Sequence, residues 1–144
     1  MVTKVTIKET DFGSALTADI GIVQAALNAK PSNFVIACGD ETTPLTVGTN
    51  KTRFRAPHAF TIASVKCSLT TASSSGLVTV NVKKNGTTIF STKPTFTVSS
   101  KTTVGAVTPS VVSVPAVAAD DELTFDVDVA GTNASGLKVT LVLA

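Results

Sequence analysis

Arg53-Phe-Arg-Ala-Pro-His-Ala-Phe-Thr-Ile-Ala-Ser-Val-Lys-Cys-Ser-Leu69 is the stretch whose pattern decides the fold. From Phe60 onward apolar residues alternate with small polar ones, Phe60 and Ile62 first and then Val65, Cys67 and Leu69. A period of two marks a strand with one buried face. The parity slips at Ala63-Ser64. A slip of one residue sends every later side chain to the opposite face, so the strand carries a bulge there or passes from one sheet to another. Long, bent strands of this kind suit a two-sheet sandwich. Pro57 closes the preceding strand, from which Arg53 and Arg55 project on one face and Phe54 on the other.

Downstream, Val78, Val80 and Val82 share one face of a strand, and Asn85-Gly86 is a strong two-residue hairpin signal returning through residues 87–91. Strands are expected at 94–98 and 110–114, separated by a loop at 99–108. After the acidic turn at 118–122, Leu123, Phe125, Val127 and Val129 alternate with Thr124, Asp126 and Asp128, and Leu137, Val139, Leu141 and Leu143 alternate to the end. Upstream, residues 34–38 and 45–47 read as short strands, 48–50 as a turn and 51–55 as a strand, and residues 70–76 form a small polar loop. These segments amount to roughly eight strands at the 8–12-residue spacing of an antiparallel sandwich. The expected fold is all-β, an eight-stranded antiparallel jelly-roll β-sandwich over residues 34–144, with a short N-terminal arm and one helix over residues 1–33.

In that N-terminal segment Val5 and Ile7 alternate with Lys4, Thr6 and Lys8 as a short strand or extended arm. Residues 15–28 then place Leu16, Ile20, Val23 and Leu27 at i, i+4, i+7 and i+11, one stripe of a helix with Ser14 as its N-cap and Lys30-Pro31 as its stop. Gly21 weakens it by about 1 kcal/mol relative to Ala, and a helix of about 14 residues is marginal alone, so the stripe must pack on something. Two readings stand: it caps an open end of the sandwich, or arm and helix dock on a neighbouring subunit.

The stretch from Arg53 to Ala72, the strand Leu123-Thr-Phe-Asp-Val-Asp128 and the closing Gly136-Leu-Lys-Val-Thr-Leu-Val-Leu-Ala144 resemble a jelly-roll module of tailed-bacteriophage virion proteins, found in capsid decoration (cement) proteins and in tail-fibre tips. The resemblance covers residues 34–144 and lies in strand pattern and landmark positions, with no catalytic motif in it. It implies a virion structural role on the outer surface and a homotrimer.

Composition bears on partners. The chain has 144 residues, enough for one core; 43% are hydrophobic and only 15% charged, against a usual charged share of about 25%. So few charges leave apolar surface to be hidden in a symmetric oligomer or against a larger partner, unless the domain is simply coated with Ser and Thr. The net charge is +2 with no basic run and no Trp or Tyr, which argues against nucleic acid. No segment approaches the ~18 apolar residues of a membrane span, and residues 1–8 lack the apolar core of a signal peptide. The expectation is synthesis in a cytoplasm, and hence two reduced core thiols at Cys38 and Cys67; a disulfide would need their strands to be neighbours.

Catalytic chemistry has little to stand on. His58 is the only histidine, so no histidine metal cluster can form, and HExxH, CxxC, GxSxG and phosphate-loop motifs are missing. Asp120, Asp121, Glu122, Asp126 and Asp128 form the one cluster to weigh: a Ca²⁺ site, or the wet face of a strand paired with Lys or Arg across the sheet. The expectation is therefore non-enzymatic, with no cofactor and no metal. The partners expected are further copies of the chain and a major capsid protein, contacted through Val5, Ile7, Leu16, Ile20, Val23, Leu27, Arg53 and Arg55. A fibre needs a shaft or coiled-coil heptads that residues 1–33 do not provide, which favours a decoration protein. The alternative is a short tail-fibre or receptor-binding protein whose loops touch a host-surface ligand; the lack of Tyr and Trp, the usual platforms for sugars, weighs against it.

Overall fold

The structure, a computed structural model, describes residues 18–25 and 32–144. The chain divides into two compact units, Met1–Pro31 and Ser32–Ala144. Of the first, residues 18–25 are helical.

The second unit is built from eleven strands: β1 (Asn33–Ala37), β2 (Gly48–Arg55), β3 (Phe60–Ser68), β4 (Val78–Lys84), β5 (Thr87–Thr88), β6 (Phe90–Thr92), β7 (Thr95–Phe96), β8 (Val111–Val112), β9 (Ala116–Val117), β10 (Glu122–Val129) and β11 (Lys138–Leu143). One antiparallel sheet runs β1-β11-β3-β9, a second runs β2-β10-β4-β5 with β7 also on β4, and β6 pairs with β8. The longer strands follow the alternation. Val78, Val80 and Val82 lie fully buried beside Leu123, Phe125 and Val127 in the second sheet, against Ile62, Val65, Cys67, Val139 and Leu141 of the first. The inward faces of both sheets are thus removed from water by a single shared core, the main stabilising term.

The parity slip of β3 is a bulge. Val142 pairs with Ser64 and Leu143 with Ile62, so Ala63 is the extra residue, and Ile62 and Val65 both return to the core. Asn85 and Gly86 have φ of 49° and 87°, the two left-handed positions of a type I′ turn, and Lys84 pairs with Thr87. Two expected strands shrink to two-residue ladders, β7 and β8, because only Phe96 at zero exposure and the pairing of Val111 and Val112 with β6 are held in register.

Two expectations are corrected in β2 and β10. Residues 48–50, expected as a turn, belong to β2, in which an enlarged bulge sets residues 49–51 opposite Asp126: Phe125 pairs with Thr52 and Val127 with Gly48, and Asn50 takes a φ of 53°. Asp126, expected on a wet face, is buried at 1% exposure. Its Oδ1 accepts the Asn50 N–H at 2.7 Å, and Lys83 Nζ lies 2.6 Å from Oδ2. The bulge and the lysine stem cover the carboxylate from two sides, an effect of neighbouring strands that alternation within β10 cannot encode.

Cys38 and Cys67 are free and buried. Burial pushes the Cys38 thiol up to about 12, with a smaller opposing effect from Thr52, and raises Cys67 as well. A thiol ionising near 8.5 when unfolded stays neutral in the fold, so stability is lost as pH rises from that value toward the folded one.

Two outcomes are expected. Asp126→Ala leaves the Asn50 amide without its acceptor and lowers unfolding free energy by about 1–3 kcal/mol in a denaturant titration; an unchanged midpoint would show that the bulge does not need the carboxylate. Neither thiol reacts with an aromatic disulfide reagent at pH 8 in the native protein, and both react once the chain is unfolded. Native reaction at stoichiometric amplitude contradicts the burial.

Candidate interaction surface

The described residues singled out by the sequence fall in both units. Arg53 and Arg55 lie on β2, with Phe54 turned inward between them. This follows from strand geometry, which sends alternate side chains to opposite faces. Both arginine side chains are 61% exposed. Their partners come from the first residue of β10 and the turn before it: Arg53 Nη1 is 3.8 Å from Glu122 Oε2, Arg55 Nη2 is 3.7 Å from the same oxygen, and Arg55 Nη1 is 3.4 Å from Asp120 Oδ1. Arg55 Nη1 also donates to the Asp120 carbonyl at 3.0 Å. Exposed pairs at these distances contribute little to stability. Such charges orient a partner more than they hold the fold.

Ile20 and Val23 lie in the helical residues 18–25 and are 59% and 67% exposed, with Ile22 at 67% beside them. Val5, Ile7, Leu16 and Leu27 lie outside the described residues.

An aromatic cluster escapes the sequence reading altogether. Phe34 of β1 lies 5.1 Å from Phe54 of β2 and 5.4 Å from Phe60 of β3, ring centroid to centroid, and His58 sits 6.5 Å from Phe34 and 6.1 Å from Phe60. The three phenylalanines are half-buried and His58 is exposed. Tilted and edge-on rings at these separations attract through their quadrupoles. Residues 34, 54 and 60 are far enough apart in sequence that only the register of three strands unites them. The cluster joins the two sheets at the end of β2, so Phe54 is anchored inward while its neighbours Arg53 and Arg55 are presented outward.

Several of the remaining charged groups are engaged within the fold. Lys93 Nζ is 2.7 Å from Asp128 Oδ2, as Lys83 is to Asp126. Lys138 and Thr70 both donate to the Glu41 carboxylate and hold it below the usual range, the lysine having the larger effect. Asp40 Oδ1 accepts the Thr42 and Thr43 amides at 2.7 and 2.8 Å, pinning the turn after β1 and holding that carboxyl low too. No group of three or more His, Cys, Asp or Glu capable of holding a metal occurs among the described residues. No described helix is long and apolar enough to cross a membrane. The loop between β7 and β8 ends in an uncharged tip, with Val104 at 60% and Val107 at 97% exposure.

Since Asp126 and Asp128 each hold a lysine ammonium in place of a cation, the melting temperature is expected to be the same in excess chelator and in millimolar Ca²⁺. A drop on chelation would reinstate the metal reading. The chain matches no protein-family model, no curated protein and no solved structure, so these surfaces carry the functional reading by their own geometry.

Proposed function

We propose that the chain is a non-enzymatic bacteriophage virion structural protein, a capsid decoration protein that binds the outer shell as a homotrimer and stabilises it through contacts with the major capsid protein. The observation that carries this reading is apolar surface left in water by a chain with few charges to cover it: Ile20, Ile22 and Val23 on the helix, and Val35, Val47, Val104 and Val107 on the sandwich, each at least 59% exposed. Such surface is covered in an assembly where it forms a contiguous patch. The strand order supports the jelly-roll part of the reading. The first four strands alternate between sheets, β1 and β3 in one, β2 and β4 in the other, and the chain then returns to insert β11 between β1 and β3 and β10 between β2 and β4. That return is what two interlocked Greek keys produce.

The mechanism is mass action. A protein that binds the assembled shell and not its separated subunits stabilises assembly by its binding free energy multiplied over many copies. Arg53 and Arg55 supply exposed planar donors for capsid carboxylates, and the segment containing Ile20 and Val23 supplies apolar contact.

Labelling intact particles with an antibody to this chain, viewed by electron microscopy, tests the location. Label over the whole head is expected; label confined to the tail or its tip makes the protein an adhesion component. Removing residues 1–30 should leave the sandwich folded by circular dichroism and weaken capsid binding at least tenfold. Unchanged binding removes the N-terminal segment from the interface.

A further inference from the structure

The edges of the two sheets are protected unequally. An edge strand offers unpaired N–H and C=O groups to any other strand, and proteins blunt such edges with charge, proline, bulges or extreme shortness. Here β5, β7 and β9 are two residues long, and Pro115 immediately precedes β9. β2 is bulged at Asn50 and carries Lys51, Arg53 and Arg55. Among the described residues, β1 has none of these devices. Its sequence Asn33-Phe-Val-Ile-Ala37 is uncharged and free of proline, and its register against β11 is unbroken.

The direction of its free groups is fixed by two hydrogen bonds. Ser32 O accepts from Leu143 N and Cys38 N donates to Leu137 O, so residues of that parity face β11. Asn33, Val35 and Ala37 therefore turn their peptide groups away from the sheet. The Ala37 carbonyl accepts Thr52 Oγ1 at 2.9 Å and keeps a second lone pair. Val35 is 66% exposed on the outer face, and Phe34 and Ile36 on the inner face are only half-buried because the sheet stops there.

We propose that β1 pairs antiparallel with β1 of a second copy of this chain, about a twofold axis through Val35. The occupant is a second copy because the strand is complementary to itself. Its outward-turned groups at 33, 35 and 37 are symmetric about Val35, so two copies exchange backbone hydrogen bonds between 35 and 35 and between 33 and 37 in one register. The same register sets Phe34 beside Ile36 of the second copy on the inner face, completing the apolar stripe that the edge leaves open. No charge on either strand opposes the approach. The contact does not depend on the capsid reading. It is twofold and cannot close a trimer, so in a trimeric protein it links separate trimers. Two five-residue strands bury less than the ~1,200 Å² of a standard interface, so the contact is weak between free copies and strong where copies are already held side by side.

Cysteine cross-linking tests it in the full chain, whose own two thiols are buried. Val35→Cys, treated with a short bis-maleimide, is expected to form covalent dimers at least tenfold faster than Val104→Cys, an equally exposed residue on the distant loop. Equal rates overturn the proposal. Val35→Lys sets two ammonium groups opposite each other while leaving an exposed position of the fold intact, as circular dichroism checks. Concentration-dependent association in sedimentation equilibrium should fall at least tenfold in that variant, and association indifferent to the substitution, or absent from the wild type at millimolar concentration, likewise overturns it.

Discussion

A carboxylate with almost no surface exposed to water dictates much of the second sheet. Burying the charge of Asp126 is tolerable only with a counter-charge and hydrogen-bond donors in place, and these come from both neighbouring strands, Lys83 on β4 and the amide of Asn50 on β2. To deliver that amide, β2 must accommodate three residues opposite one, with Asn50 in the left-handed region. The pair adds little net energy by comparison with a well-packed apolar substitute. What it does is penalise every other register, since a slip of β2 or β4 would strand the charge. The central strand of the sheet is thereby indexed to both of its neighbours by one side chain.

The bulge has a second effect. It interrupts the edge formed by β2, which also carries Lys51, Arg53 and Arg55, whereas β1, the corresponding edge of the other sheet, keeps an unbroken register and no charge. Between these two strands lies the aromatic cluster of Phe34, Phe54 and Phe60. Since Phe54 is held there by packing, the positions of Arg53 and Arg55 are set by the core and not by their loose ion pairs with Glu122 and Asp120. The core thus fixes where each arginine leaves the backbone, while its long exposed side chain keeps rotamer freedom that a partner must order.

Much of the sandwich is legible in the sequence, and the reasons it is, or is not, differ by element. The Asn85-Gly86 turn is visible because two left-handed residues in succession almost demand that pair. The bulge at Ala63 is visible because parity, once broken, must be repaired. Alternation at 123–127 identifies a buried inner face, but it cannot say whether the outer face is wet, and Asp126 is dry only because β2 and β4 supply the cover. Residues 116–117 form a strand with no periodic signal, since two residues are too few to show a period. The site is less legible than the fold: Arg53 and Arg55 announce themselves by flanking an apolar residue, whereas the phenylalanine cluster exists only in the register of three strands, and His58 gains its neighbours from the same register.

The strand order also imposes a timetable on folding. β11 occupies the place between β1 and β3, and β10 the place between β2 and β4, so neither sheet has its middle until residues 122–143 are present. As the chain is made from its N-terminus, more than a hundred residues emerge before the strands that would hold them together. The nascent chain therefore carries the apolar faces of β1 to β4 uncovered, its pairings are long-range, and closure is slow by comparison with a hairpin-built sheet. With 43% hydrophobic and only 15% charged residues, the unfinished chain has little charge to hold it apart from its neighbours until β10 and β11 arrive.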